Sequence, residues 1–356
     1  MKLEDLQELS CACGISSFEE GVAGIIKKQV EPYCDDIQYD RLGSIIALQS
    51  MDQPGPKMMI ATHMDEVGFI VKSIDEQGFI RLQMIGGFWS LMLPGQSFRV
   101  ITKEGKTFDG IMGSMASHGL SNELKEKVIP FDDLYLDMGV SSAQALYDLG
   151  IEIGDMVVPV SEFKPMNDPK YIRSKAFDNR IGVMVGIETL KRLQNEKHGP
   201  IAFASTVQEE PGLRGARTAT FACKPDLAIA IDTTLAGDTP LNKNICRLGG
   251  GVSLSIIDSN SIAHRELVKY VEKLAKKNHI PFQYSVFNGG GTDSGNIHKS
   301  LNGIVNMTFS IPIRYMHTNQ SIIHLDDVQS CVDLLVELFK NMDQKRFDQI
   351  SGEEDE

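Results

Sequence analysis

Apolar, strand-like runs in this chain repeatedly stop at residues that can bind metals or move protons. Three runs end directly in such residues: the first at His63 and Asp65, the second at Glu209 and Glu210, and the third at Asp232. A fourth run leads toward His317. Because the carboxyl ends of strands in an open α/β sheet converge on one crevice, we expect these side chains to lie together. A single acidic pair is more simply a solvated turn, but four such endings in one chain favour a shared site.

The residue types at these positions suit a pair of divalent cations. Two imidazoles and three carboxylates can hold two ions that share one carboxylate, and mixed His, Asp and Glu ligation favours zinc, cobalt or manganese over magnesium and calcium. Adjacent residues of an extended chain point to opposite sides, so Glu209 and Glu210 are expected to differ in role, one binding metal and the other moving a proton. Asp178 precedes an apolar helical pattern from Ile181 to Leu193. Taken alone, it is typical of a helix N-cap.

The composition limits the partners of the chain. Its 356 residues carry a net charge of −13, which argues against nucleic acid and anionic membrane surfaces as partners. No apolar run approaches the roughly 20 residues of a membrane span, and the first ten residues contain four charged side chains instead of the apolar core of a secretion signal. We therefore expect a soluble, cytoplasmic protein whose six cysteines are reduced thiols.

The order of the predicted elements indicates an α/β fold with an inserted β domain. Strand-like runs alternate with helical patterns in residues 1–66 and 166–356, which predicts a three-layer α/β/α catalytic domain around a mostly parallel or mixed sheet. Between residues 67 and 165, short strands separated by Gly-containing turns predict a small β-barrel. Its strands are predicted at Phe69 to Ile74, Phe79 to Met84, Ser97 to Thr102, Thr107 to Met112 and Asp155 to Val160.

Five other segments carry individual predictions. Ser114 to Lys127, which contains His118, is predicted to be a loop of the insertion, where a neighbouring subunit could use that histidine. Asp326 to about Gln349 is predicted to form one long helix, followed by an acidic tail from Gly352 to Glu356. The run Gly289-Gly290-Gly291 lacks the Lys-Ser/Thr of a phosphate-binding loop and is predicted to be a tight turn at the rim of the site. Trp89, the only tryptophan, is predicted to pack in the interior or lie in an interface.

Five motifs occur in order along nearly the whole chain and resemble one family. They are His63-Met64-Asp65-Glu66-Val67-Gly68, Ala176-Phe177-Asp178-Asn179-Arg180, Gln208-Glu209-Glu210-Pro211-Gly212-Leu213-Arg214-Gly215-Ala216, Ala230-Ile231-Asp232 and Arg314-Tyr315-Met316-His317. On these motifs the chain resembles the glutamyl-aminopeptidase or deblocking-aminopeptidase family of dinuclear metallopeptidases, of the tetrahedral-aminopeptidase type. Two departures, Thr318 in place of Ser and Val252 after a glycine run, touch no proposed ligand, and the second bears on substrate preference.

The resemblance implies a role for each residue of the site. The implied metal ligands are Asp178 as the bridge between two ions, His63 and Asp232 in one metal site, and Glu210 and His317 in the other. Glu209 would be the general base, taking a proton from the metal-bound water and passing it to the leaving amine. Asp65 would support catalysis by orienting His63.

The resemblance also implies the cofactors, substrates and assembly. Two divalent ions, zinc or cobalt with manganese as a further choice, would serve the removal of N-terminal residues from short peptides. Residues 67–165 would mediate self-association, commonly into a homo-dodecamer built from dimers, with the active sites facing an inner cavity.

Other activities stay open at this point. A metal-dependent deacylase of small N-acyl compounds could use the same dinuclear water, whereas a glycosidase would need an acid/base carboxylate pair and no metal. A non-catalytic binding protein would lack a ligand or the base, and none is missing. The preferred N-terminal residue is also open. An acidic preference needs a cation in the pocket, for which Arg247, Arg314 and Lys299 are candidates, and a leucine-type pocket is an equal alternative.

Overall fold

The computed structural model describes residues 1–119, 121–240, 246–286 and 289–352. These residues form a large mixed sheet with helices on both faces, a closed six-stranded barrel and a small three-stranded sheet. The predicted three-layer α/β fold with an inserted barrel is therefore confirmed.

The large sheet has eight strands, which are numbered here along the chain. In spatial order they are β1 (Asp36–Tyr39), β2 (Ile45–Gln49), β12 (Ile201–Thr206), β3 (Met58–His63), β13 (Leu227–Leu235), β16 (Val305–Ile313), β14 (Val252–Ile257) and β15 (Phe282–Val286). The central strands β12, β3, β13 and β16 are parallel to one another, while β2 and β14 run antiparallel to their inner neighbours. The carboxyl ends of the four central strands consequently meet at one edge of the sheet.

Alternating side chains of the central strands pack against two helical layers. On β3, Met58 and Ile60 contact one layer, whereas Met59 and Ala61 contact the other. The first layer contains α1 (Leu3–Cys11), α2 (Glu20–Val30), α5 (Phe177–Leu193), α7 (Arg265–Lys277), α9 (Leu325–Lys340) and α10 (Gln344–Ser351). The second contains α6 (Arg214–Cys223) and the short α8 (Ser294–Ile297). Because parallel strands are buried on both faces, they appear in the sequence as continuous apolar runs.

The barrel interrupts the α/β fold after β3. Its strands, in spatial order, are β4 (Gly68–Ile74), β5 (Phe79–Ile85), β8 (Tyr135–Asp137), β7 (Thr107–Gly113), β6 (Ser97–Ile101) and β9 (Met156–Pro159). Phe69 lies at the centre of its interior, stacked on Phe88 and Phe131 with ring centroids 4.8 and 5.5 Å away. The barrel therefore has an apolar core of its own, separate from the core of the large sheet.

The structure corrects several predictions. The segment predicted to be a loop, Ser114 to Lys127, contains a 3₁₀ turn at Ser117–Gly119 and α3 (Asn122–Lys125). The helical pattern from Ser141 to Leu149 is confirmed, because α4 spans Ala143–Leu149. The prediction of a single long C-terminal helix is wrong, because α9 and α10 are separate helices. Asp343 accepts the backbone N–H of Arg346 at 2.8 Å and so caps a new helix. The acidic tail beyond Gly352 lies outside the described residues.

Several strands that are short or of mixed polarity were not predicted from the sequence. They are β8 and β14, together with β10 (Lys164–Pro165), β11 (Tyr171–Ser174) and β17 (Ser321–His324), which form the small sheet. The run of three glycines is followed by α8, although no helix was expected there. Among the helices of the described residues, none is long and apolar enough to cross a membrane.

Candidate active site

The predicted site residues meet at the carboxyl edge of the central parallel strands. A cavity of about 490 Å³ opens there. Its lining includes His63, Asp178, Glu209, Glu210, Asp232 and His317. Asp232 differs from expectation in one respect, because β13 continues to Leu235 and the aspartate lies within the strand and not at its end. The glycine run also lines this cavity, where the sequence analysis expected it.

Asp178 lies between the two histidines. Its Oδ1 is 3.2 Å from Nε2 of His63, and its Oδ2 is 3.4 Å from Nε2 of His317. One carboxylate thus presents one oxygen to each half of the site, which is the arrangement that a bridging ligand needs.

The backbone at the start of α5 produces this placement. Asp178 and Asn179 have non-helical backbone angles, the peptide bond between them is cis, and the side chain that accepts a backbone N–H of α5 is that of Asn179 and not that of Asp178. The Asn179 side chain anchors the turn, donating to the Ile231 carbonyl at 2.7 Å and accepting the backbone N–H of Gly182 at 3.1 Å. The reading of Asp178 as an N-cap is therefore wrong.

The remaining side chains complete two groups around Asp178. His63 and Asp232 form one, with His63 Nε2 at 3.8 Å from Asp232 Oδ1. Glu210 and His317 form the other, with His317 Nε2 at 3.5 Å from Glu210 Oε1. Within each group the potential ligand atoms lie within 4.8 Å of one another.

Asp65 lies beneath this cavity, fully buried. Its carboxylate accepts the Ser16 hydroxyl at 2.6 Å and the backbone N–H groups of Glu209 and Glu210 at 3.0 and 3.2 Å. Its backbone carbonyl lies 3.1 Å from His63 Nδ1. Because a carbonyl oxygen only accepts, Nδ1 carries a proton, and Nε2 is the ring nitrogen that faces Asp178 and could bind a cation there. Asp65 therefore fixes both His63 and the start of the Glu209–Glu210 turn.

Burial and mutual repulsion shift the titration of the carboxylates. Burial raises the pKa of Glu209 well above its usual value, with Asp232 and Glu210 adding to the effect. Burial likewise raises the pKa of Glu210 to about 8, while His317 opposes the shift. Removal from water disfavours a charged carboxylate, and a neighbouring carboxylate disfavours it further. A cation placed among these groups would relieve both effects.

The pKa values of the two histidines are also raised, whereas that of Asp178 is lowered. Burial alone would lower the pKa of His63, but Glu209 and the other carboxylates around it raise it well above its usual value. The same balance, with Glu210 first among the carboxylates, raises the pKa of His317 to about 9. The pKa of Asp178 is held far below its usual range, because the two imidazoles outweigh the effect of burial.

The donor set fits divalent cations. Glu210 Oε1 is buried and has no hydrogen-bond partner within the part of the chain that the structure describes. A buried carboxylate oxygen without a donor is costly unless a cation neutralises it. Imidazole and carboxylate ligands without thiolates match zinc, cobalt or manganese.

Two buried features near the site were not predicted. Arg180, fully buried, donates to the backbone carbonyls of Met64 at 2.6 Å, Leu9 at 2.7 Å and Gly14 at 3.1 Å. Asp293 accepts the Thr206 hydroxyl at 2.5 Å, and burial raises its pKa to about 7. Arg180 lies in one of the five motifs that carry the family resemblance, and Asp293 follows the run of three glycines, but a sequence motif does not reveal a partner that is distant along the chain.

The barrel reaches the site through the segment after β5. Gly86 has a φ of +75°, and a Cβ at this position would lie 2.9 Å from Glu210 Oε2. Only glycine fits there without strain or displacement of the glutamate. Gly87 lines the cavity, while Trp89 beyond it is 60% exposed. The prediction that Trp89 packs in the interior of the chain is therefore wrong. Its burial in an interface stays a prediction, as does the use of His118 by a neighbouring subunit.

Comparison with known proteins gives consistent matches. The family model described as M42 glutamyl aminopeptidase matches residues 43–334. The glutamyl aminopeptidase of Lactococcus lactis subsp. cremoris is 33% identical over 331 residues, covering 92% of this chain and 91% of that protein. The lysyl aminopeptidase of Pyrococcus furiosus is 31% identical over 338 residues, covering 93% and 95%.

Solved structures agree with these matches. The TET aminopeptidase of a marine sediment archaeon, Thaumarchaeota archaeon SCGC AB-539-E09, has a TM-score of 0.95 at 34% identity and covers 98% of this chain and 99% of its own. The TET1 peptidase of Pyrococcus horikoshii, which can assemble into a tetrahedron or a large octahedral shell, has a TM-score of 0.84 at 32% identity, covering 95% and 98%.

Proposed function

The chain belongs to the M42 glutamyl aminopeptidase family, and from this premise we propose that it is a metal-dependent aminopeptidase that removes N-terminal residues from short peptides. The observation that carries the proposal is the position of Asp178 between His63 and His317, in a cavity that Glu209 also lines. A peptide end reaching this cavity would lie against both halves of the site.

The proposed ligands are the two groups that share Asp178. His63 and Asp232 would complete one metal site, and Glu210 and His317 the other. Two divalent ions held there, zinc or cobalt or else manganese, would supply polarisation of the scissile carbonyl and a water molecule of lowered pKa.

The side chains of this protein would handle the proton and the geometry. Glu209 lines the cavity with its Oε2 3.9 Å from His63 Nε2, and it would take the proton of the attacking water and deliver it to the leaving amine. Asp65 does not touch the cavity, so its role would be to position His63 and the backbone of Glu209 and Glu210.

We further propose that residues 67–165 act as an oligomerisation domain inserted into a catalytic domain of residues 1–66 and 166–356, giving a homo-dodecamer built from dimers. The support is the separate core of the barrel and a group of exposed apolar side chains at Trp89, Leu91 and Met92. Large apolar groups clustered on a surface are typical of interfaces. The cytoplasmic location stays a prediction.

Hydrolysis of aminoacyl-p-nitroanilides tests the proposed activity. Protein stripped with a chelator is assayed before and after reloading with zinc, cobalt or manganese. Glu209→Gln is assayed beside a matched control, Glu266→Gln, whose side chain pairs with Lys269 on the solvent-exposed side of α7. We expect activity that returns with metal, persists in the control and is lost in Glu209→Gln. Reloaded protein that cleaves N-acylated amino acids but no anilide would instead show a deacylase, and chelator-resistant hydrolysis of glycosides would overturn both.

A further inference from the structure

We propose that Asp258 makes this enzyme favour a basic N-terminal residue, lysine or arginine, over an acidic one. The proposal rests on the aminopeptidase function above and identifies the class of peptide that the same cavity accepts. Asp258 lines that cavity just beyond the end of β14. Apart from the side chains of the proposed metal site and Glu209, Asp258 is the only charged residue that lines the cavity within the described part of the chain.

The Asp258 carboxylate has a defined position. Its Oδ1 accepts the backbone N–H groups of Asn260 and Ser261, both at 2.7 Å. Its Oδ2 accepts the Ser261 hydroxyl at 2.8 Å and the Thr292 hydroxyl at 3.2 Å. These donors are neutral, so among the described residues the negative charge is held in place without a cation to balance it.

The lining residues closest to Asp258 along β14 and β15 are neutral serines. Ser255 and Ser285 are paired neighbours on β14 and β15, and both line the cavity. No lysine or arginine lines it within residues 1–119, 121–240, 246–286 and 289–352. The cations that the sequence offered for an acidic pocket lie elsewhere: Arg314 binds Asp238 at 3.0 and 2.7 Å, Lys299 lines a different cavity, and Arg247 does not line this one.

The carboxylates of the proposed metal site do not change this balance. Asp178, Glu209, Glu210 and Asp232 together carry at most four negative charges, which two divalent ions match. Asp258 is then the uncompensated charge that the described lining presents to the substrate. A glutamate side chain entering the cavity would meet a like charge and no lysine or arginine of this described lining, whereas a lysine ammonium or an arginine guanidinium would meet an opposite charge.

Relative specificity constants test the proposal. For the metal-loaded protein we expect kcat/KM for the Lys anilide to exceed that for the Glu anilide by on the order of tenfold or more, the effect of about one charge-assisted hydrogen bond. Asp258→Asn keeps an oxygen acceptor for the two backbone N–H groups and should reduce the ratio of Lys to Leu hydrolysis about tenfold. Asp258→Lys should raise the ratio of Glu to Lys hydrolysis above that of the wild type.

A matched control separates this effect from general charge removal. Asp75 accepts the backbone N–H groups of Gln77 and Phe79 in a turn of the barrel, so Asp75→Asn removes one charge from a similar turn outside the cavity. Its Lys-to-Leu ratio should match that of the wild type. Calorimetric titration of metal-loaded wild type and Asp258→Asn with free L-lysine, L-leucine and L-glutamate gives a readout independent of turnover, and only lysine binding should weaken in the variant.

Three results would overturn the proposal. A wild type that hydrolyses the Glu anilide better than the Lys anilide would refute it while leaving the aminopeptidase function intact. An equal loss on every anilide in Asp258→Asn would assign the residue to the α-ammonium of all substrates instead. If the reloaded wild type hydrolyses none of the anilides, both the proposed function and the proposed preference for basic residues are refuted.

Discussion

Lys175 donates hydrogen bonds to both carboxylate oxygens of Glu66, at 2.6 and 2.7 Å, in the interior of the protein. The side chains are 5% and 1% exposed. Glu66 follows His63 by three residues and Lys175 precedes Asp178 by three, so the pair joins the two segments that supply one half of the proposed metal site. The buried guanidinium of Arg180 lies 3.8 Å from the same carboxylate.

Removing Lys175 should therefore destabilise the fold strongly. Lys175→Met leaves the Glu66 charge buried without its closest partner, and we expect a loss of about 3–5 kcal/mol in the free energy of unfolding, measured by urea denaturation. Lys170→Met is the control, because its ion pair with Asp326 is exposed and is expected to contribute less than about 1 kcal/mol. Adding Glu66→Gln to Lys175→Met should recover part of the loss, and equal effects of the two lysine variants would contradict the prediction.

Asp65→Asn should weaken metal binding while leaving most of the fold in place. An amide has one acceptor oxygen, so it cannot accept the Glu209 and Glu210 N–H groups on both sides as the carboxylate does. Loss of a partner that orients ligands reduces metal affinity by about 10–100-fold, which competition with a chromogenic chelator would measure. Asp155→Asn, at another buried aspartate in the barrel region, serves as control. Unchanged affinity in Asp65→Asn would exclude the positioning role.

Metal removal should lower the melting temperature. Among the described residues, the metal-free site holds repelling carboxylates and a buried Glu210 oxygen that accepts no hydrogen bond, and ions that bind only the folded state add about 4 kcal/mol at a thousand times their Kd. We expect the midpoint of thermal unfolding to rise on addition of zinc or cobalt to stripped protein. Asp178→Asn should abolish most of this rise, and a rise of wild-type size in that variant would argue against a bridging carboxylate.

Glu19 should make stability depend on pH. Burial, and to a smaller extent the charge of Asp65, raise its pKa to about 7, although it accepts the Gln208 N–H at 3.0 Å. Between about pH 4.5 and 7 the folded state keeps this proton and the unfolded state loses it, so stability falls as pH rises and levels off above about 7. The Glu19→Gln variant resembles the protonated form. Its stability relative to the wild type should increase across this window by up to about 3 kcal/mol, and a constant difference would contradict the raised pKa.

The sequence predicted those elements whose burial leaves a strong local pattern. Strands β3, β12 and β13 each begin with an apolar run buried on both faces, and their positions were found to within a few residues. Strand β14 was missed because the buried Ser253 and Ser255 interrupt its apolar pattern, and β8 has only three residues. The missed strands depend on partners distant along the chain more than on their own composition.

The same limit applies to the site. The convergence of ligand-type residues followed from the parallel order of the strands, but the roles of individual residues came from the family resemblance. The sequence around Asp178 is typical of an N-cap, and its two neighbouring imidazoles come from residues 115 positions before it and 139 after it. The Glu66–Lys175 ion pair likewise spans 109 residues, and nothing local in the sequence indicates it.

Trp89 is the single tryptophan of the chain, and it projects from the barrel two residues beyond Gly87 at the cavity wall. The intrinsic tryptophan fluorescence of the protein therefore arises from one known place. Water around an exposed indole shifts its emission to longer wavelengths, so coverage of this surface would appear as a blue shift that dilution reverses. The native chain thus carries its own optical probe of the barrel surface and needs no added label.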